Sequence, residues 1–368
     1  MTQRERMQVV INHEKPDRTP AVLAGRAEVH RALVEHYGVE DMADVHRILG
    51  TDGWNGAGVA LDWFDYNSRV DGELIGDFPY AGGKFIMHGE DVFEDQWRVV
   101  RKAGEDRKYV QWLSGPISGE NPDLDAWGFP GPDRIIPNPD LPQRVQELKD
   151  KGYWVQAGVA MPYKTAWEAR GMENLLADYL LNPGLVEAIY DRIFALCTAM
   201  LIPAVEAGVD QIGVGGDIAM QDRMIMGAEA WRRIDRPRLA AMIDRCKEIN
   251  PDVHVFIHSD GDLDEIMDDL IEIGFDIIDP IQPECMDPFE VKRRYGDRIV
   301  LHGCGSLQKV LPFGTVADVR KHVTDLIEKC GYNGGLVLRV SNAIGFDVPT
   351  ENTVAFFETA RDYDMSQL

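Results

Sequence analysis

The chain predicts an α/β protein folded as a (β/α)8 TIM barrel, on three observations. After residue 143, helical patterns alternate with short apolar strands that each end in glycine or polar residues. Six such strands, at 154–157, 211–214, 253–257, 277–278, 299–301 and 336–338, join two earlier ones at 21–24 and near 53–59. Together they make the eight that close a parallel barrel. No glycine-rich dinucleotide turn follows the first strand, which disfavours an open doubly wound sheet.

The first residues read as a short helix, ended by Pro16-Asp17-Arg18-Thr19-Pro20. Residues 28–49 place Leu33, Val34, Tyr37, Met42, Val45, Ile48 and Leu49 at helical spacing, with Gly50 as the stop. From Asp52 to Asp133 tryptophan and glycine become dense, and the alternation Gln96-Trp97-Arg98-Val99-Val100 suggests hairpins. A proline-rich connector, 128–142, closes this segment. The chain is therefore expected to be a single domain over 1–368, with 53–142 as an irregular antiparallel insertion.

Charge narrows the function classes. With 62 acidic and 38 basic side chains the net charge is −24, which repels phosphate backbones and anionic lipid and argues against nucleic-acid and membrane partners. No apolar run approaches the ~20 residues of a membrane span, and Met1-Thr2-Gln3-Arg4-Glu5-Arg6 does not look like a signal peptide. The expectation is a cytoplasmic protein, monomeric or homodimeric, acting on a small molecule. Its 5 cysteines are odd in number and widely spread, which reads as reduced thiols, with Cys197, Cys246 and Cys330 as packing residues.

In a parallel barrel the chemistry sits at the C-terminal ends of the strands. Those positions hold Arg26, Asp52, Met161-Pro162-Tyr163, Gly215-Gly216-Asp217, His258-Ser259-Asp260-Gly261, Gln282-Pro283-Glu284-Cys285, His302-Gly303-Cys304-Gly305, then Arg339, Ser341 and Asn342. Imidazole, thiolate and carboxylate are zinc-type donors. The same residues are also common as hydrogen-bonded packing groups. Asp52 beside Gly53 reads either as a helix-to-strand turn or as a carboxylate that orients substrate, and Asp217 has the same two readings. Arg26 either holds a substrate carboxylate or pairs with Glu28.

Several of these motifs resemble the uroporphyrinogen decarboxylase superfamily. They are His258-Ser259-Asp260-Gly261, 270–276, Pro280-Ile281-Gln282-Pro283, Met286-Asp287-Pro288, Tyr295-Gly296-Asp297-Arg298 and Leu311-Pro312-Phe313-Gly314-Thr315. Gly50-Thr51-Asp52, Val348-Pro349 and Glu351-Asn352 fit the same pattern. The resemblance implies a (β/α)8 barrel and one of two chemistries. One is metal-free decarboxylation of a tetrapyrrole's acetate side chains; the other is zinc-assisted methyl transfer to or from a corrinoid protein.

For the decarboxylase, Asp52 matches the aspartate that binds pyrrole N–H groups. Only Arg26 remains of the arginine pair, however, and Ser341-Asn342-Ala343 replaces a Gly-His-Gly element. For the methyltransferase, His258 matches the first zinc ligand, Asp260 stands where a cysteine is usual, and Ser341 or Asn342 lies where the last cysteine falls. Glu284, Cys285, His302 and Cys304 are replacement candidates. The resemblance therefore implies a corrinoid-dependent methyltransferase acting on an O- or N-methylated compound. Zn²⁺ would be held by His258, Asp260 and Cys304 or Cys285, and cobalamin would be carried by a partner protein. Trp54, Trp63 and Tyr163 would stack an aromatic donor, with Asp217, Gln221 and Asn342 on its polar groups and Asp52 on the opposite wall. A decarboxylase and a non-catalytic ligand-binding barrel are the alternatives.

Overall fold

The structure is a computed structural model that describes residues 1–62, 86–104, 110–160 and 162–368. Among them, seven strands form one parallel sheet in the order β1-β8-β9-β10-β11-β12-β13. These are β1 (Trp54–Gly56), β8 (Trp154–Ala160), β9 (Gln211–Gly215), β10 (His254–His258), β11 (Ile277–Asp279), β12 (Val300–His302) and β13 (Leu336–Val337). Each later strand follows its neighbour through at least one helix, the connection a parallel pair requires.

The expected strand at 21–24 is not a regular strand. It is present as isolated parallel bridges, Ala21 to Leu338 and Gly25 to Ile344, while the Asp52 amide donates to the Ala21 carbonyl at 2.6 Å. The segment thus touches the chain beyond β13 on one side and the residues before β1 on the other.

The first helix, Gln3–Ile11, starts at a capping box: Thr2 accepts from the Glu5 amide and Glu5 accepts from the Thr2 amide. Its Met7, Val10 and Ile11 pack against Trp154, Ile277 and Val300, which begin their strands, and against Val337 of the two-residue β13. The helix therefore covers the N-terminal ends of the sheet. Burying each such side chain contributes roughly 1.5–3 kcal/mol.

The helical stretch expected over 28–49 is two helices, Ala27–Tyr37 and Met42–Leu49. Gly38, at φ 62°, ends the first, and the Asp41 side chain caps the second by accepting from the Asp44 amide. Apolar periodicity runs across this break because both helices pack on the same core. The end at Gly50, φ 63°, is where it was expected.

Short antiparallel strands β3 (Ile86–Met87), β4 (Val92–Glu94), β5 (Val100–Ala103) and β6 (Val110–Ser114) form a second sheet. The run 96–100, read as part of a hairpin, supplies the turn between the antiparallel β4 and β5 and the first residue of β5. Asp95 accepts from the Trp97 and Val99 amides, and Arg98 takes φ 62°. Strands β2 (Ala60–Leu61) and β7 (Ile135–Ile136) pair antiparallel, so the proline-rich connector contains a strand. No described helix is long and apolar enough to cross a membrane. All five cysteines are free thiols.

Candidate metal and catalytic centre

The C-terminal edge of the sheet gathers Asp217, His258 and Asp260, whose ligand atoms all lie within 4.8 Å of one another. Backbone register sets this up, because Gly215 of β9 lies level with His258 of β10, and His258 lies level with Asp279 of β11. The loop after β10 then turns back against the loop after β9. Gly261 has φ 99°, and a Cβ there would lie 2.4 Å from the Met220 carbonyl oxygen, so only glycine allows this contact.

Asp279 organises the site from beneath. His258 Nδ1 and His302 Nδ1 each lie 2.5 Å from its carboxylate, and Arg339 donates to both oxygens at 2.9 and 3.1 Å. Burial alone would raise the Asp279 pKa, but Arg339 and the two imidazoles outweigh it and hold the carboxyl well below its ordinary range. Gly303 makes room for this network: at φ 72°, a Cβ there would lie 2.5 Å from Asp279 Oδ1.

An ionised Asp279 accepts from Nδ1–H of His258, which leaves the Nε2 lone pair as the exposed donor atom. Burial lowers the pKa of His258, but the hydrogen bond and charge of Asp279, with Asp260 behind them, carry it above its ordinary value. His302 differs. It is fully buried, and desolvation holds its pKa down despite the same aspartate.

Asp260 is the least compensated group. Its Oδ2 accepts from Asn342 Nδ2, while its Oδ1 is buried with no hydrogen-bond partner among the described residues, 3.9 Å from His258 Nε2. Burial, then the charge of Asp217, pushes its pKa up to about 6. The Asp260 amide donates to Asp217 Oδ1 at 3.0 Å, which holds that exposed carboxylate beside it.

These atoms suit a divalent cation. The donors are one imidazole nitrogen and two carboxylates, one of them under-compensated; 3.9 Å is wider than a hydrogen bond and wider than two ligands ~2 Å from a tetrahedral ion, so His258 Nε2 and Asp260 Oδ1 would draw together on binding one. Sulfur is absent from the group, which corrects the expected ligand set. Cys304 is fully buried, with desolvation raising its pKa well above the ordinary value, and it stands outside the group. Cys285 is also outside it, and its thiol is pushed up to about 11 by burial and then by Glu284, Asp262 and Asp260. Glu284 accepts instead from Ser306 Oγ and the Gln308 amide.

Two further expectations fail. Asp52 lies at the opposite edge of the sheet, before β1, where it pairs with Arg6 and Arg18 and accepts from the Ala21 amide. Tyr163 is fully buried near Asp235, in the helix Pro162–Arg170, so it stacks on no substrate at this edge. Gln221 donates to Gln308 at 3.2 Å near the rim, and the Arg26 amide donates to the Ile344 carbonyl at the end of the first segment. Trp54 sits on β1 level with Trp154, whereas Trp63 and Met161 lie outside the described residues. Asp279 was not anticipated. Its signal was an aspartate closing the apolar pair Ile277-Ile278 directly before Pro280.

With the geometry in place, comparisons give it a context. The family model described as uroporphyrinogen decarboxylase matches residues 143–363. A curated uroporphyrinogen decarboxylase of Synechocystis sp. is 19% identical over 211 residues, covering 57% of this chain and 57% of its own length. That of Microcystis aeruginosa is 26% identical over 117 residues, 32% of each chain. The chain therefore spans about a third to just over half the length of these relatives. A solved methyltransferase from Methanosarcina mazei matches with TM-score 0.63 and 16% identity, over 98% of this chain and 99% of the other, a likeness of fold.

Proposed function

Because the chain belongs to the uroporphyrinogen decarboxylase family, we propose that it is a (β/α)8-barrel methyltransferase moving a methyl group from a small O- or N-methylated compound to a corrinoid carried by a partner protein. In this reading the 20–26 segment completes the sheet as its eighth strand. The observation that carries the reading is the grouping of ligand atoms of Asp217, His258 and Asp260 within 4.8 Å of one another. The whole-chain likeness to a solved methyltransferase agrees with it.

The chain's own residues prepare the site. Asp279 fixes the His258 tautomer and keeps Nε2 electron-rich. Asn342 holds one oxygen of Asp260, leaving Oδ1 turned toward Nε2. A zinc ion held by His258, Asp260 and Asp217 would supply Lewis-acid polarisation of the donor's oxygen or nitrogen. Asp260, poised near 6, is mostly ionised at neutral pH and so ready to bind a cation. The acidic chain favours a donor with little negative charge, since Arg339 is already engaged by Asp279.

The test supplies zinc-loaded protein with 2-methoxyphenol or trimethylamine and cob(I)alamin, and follows methylcobalamin by its absorbance. Product formed by the wild type and lost in His258→Ala supports the reading; no product across a panel of methylated donors refutes it. Decarboxylation is the second reading, favoured by the names of the curated relatives. It requires release of CO2 from uroporphyrinogen, and no release excludes it.

A further inference from the structure

A cavity of about 410 Å³ lies between the antiparallel sheet and the helix Pro162–Arg170. Its walls include Phe93, Trp97, Trp112, Trp127 and Trp167. An aromatic-walled cleft of this volume falls within the usual range of ligand pockets, ~300–1,000 Å³.

The polar groups of the cavity are already matched among themselves. Arg101 pairs with Asp95 and, at 2.9 Å, with Glu168, and Lys164 pairs with Glu168 at 3.2 Å. Two acids and two bases leave no net charge. The Trp112 indole donates to the Glu168 carbonyl at 2.8 Å, which fixes that ring as part of the wall. Such a lining favours a neutral planar ring, held by stacked and edge-on contacts, over an ion.

Its position links it to the centre. Ala160, the last residue of β8, lines the cavity and is level with Gly215, which is level with His258. At ~4.8 Å per strand, the cavity begins about 10 Å across the sheet edge from His258. We infer that this cavity binds the aromatic ring of a small neutral compound and presents its substituent toward His258 and Asp260. The assignment of that compound as the methyl donor rests on the proposed methyl transfer; the ring site itself does not.

Binding of 2-methoxyphenol to chelator-treated protein is measured by calorimetry and tryptophan fluorescence. Thr165→Trp fills the cavity from the helix, and Trp167→Ala removes one wall if the first variant does not fold. The expected result is saturable binding weakened at least about tenfold in either variant, unchanged in Thr2→Ala at the far end of the sheet, and at least about tenfold weaker for the non-planar 2-methoxycyclohexanol. No saturable binding, undiminished binding in the folded variants, or equal affinity for the non-planar probe overturns the site. Cavity-dependent binding without methyl transfer by zinc-loaded enzyme retains the ring site and removes the methyl-transfer reading. Methyl transfer from 2-methoxyphenol undiminished in a folded cavity variant does the reverse.

Discussion

Two charge clusters, one at each end of the parallel sheet, use the same residue types to opposite ends. At the N-terminal edge Asp52 is 2% exposed, and both its oxygens are taken by Arg6, Arg18 and the Ala21 amide. At the C-terminal edge Asp260 leaves one buried oxygen without a hydrogen bond and faces the carboxylate of Asp217. A satisfied buried ion pair holds the chain together; a buried carboxylate facing another one costs stability that a cation repays. The difference teaches that compensation, not residue type, separates a structural aspartate from a ligand.

The largest expected effect breaks the satisfied cluster. Asp52→Ala removes the carboxylate that Arg18 pairs with and leaves the buried Arg6 with Asp17 alone, and should cost about 3 kcal/mol in urea unfolding. A loss below ~1 kcal/mol would mean the cluster is not structural. Next is Asp279→Asn, which weakens the hold on His258; zinc affinity, read by competition with a chelating dye, should fall about 10–100-fold.

Asp260 gives a pH signature of the opposite sign from an ordinary salt-bridged carboxylate. Its folded pKa is raised from 3.8 to about 6, so the metal-free folded state binds more protons than the unfolded chain between those values. Its contribution is therefore most favourable at low pH and is lost as pH rises from about 4 to about 6, by up to ~3 kcal/mol. Asp260→Asn should flatten that portion of the stability profile, and zinc should offset the loss above pH ~6 in the wild type alone. The smallest effect is Thr2→Ala, which removes the capping box under the N-terminal edge; it should lower stability by ~1 kcal/mol in thermal unfolding and leave zinc affinity unchanged.

The same contrast explains what could be read in the sequence. The parallel strands were legible because apolar runs of fixed length alternate with helical periods, and six of the eight expected strands lie where that alternation put them after residue 143. His258, Asp260 and Asp217 were legible because each ends a strand or lies two residues beyond one. Asp52 was misplaced because its partners, Arg6 and Arg18, are 46 and 34 residues away and carry no local signature. Asp279 carried only the faint local signal of an aspartate before Pro280; its meaning lies in His302 on β12 and Arg339 beyond β13. The aromatic cavity depended on tertiary packing between β-hairpins and a helix, to which a count of tryptophans is blind.

The most direct test of the metal-centre account is calorimetric titration of Zn²⁺ into chelator-treated protein, run on the wild type, His258→Ala, Asp260→Asn and, as a control, Thr2→Ala. The prediction is one tight equivalent in the wild type and in Thr2→Ala, and loss of that equivalent in His258→Ala and Asp260→Asn. No tight equivalent in the wild type, or one that survives both substitutions, would contradict it.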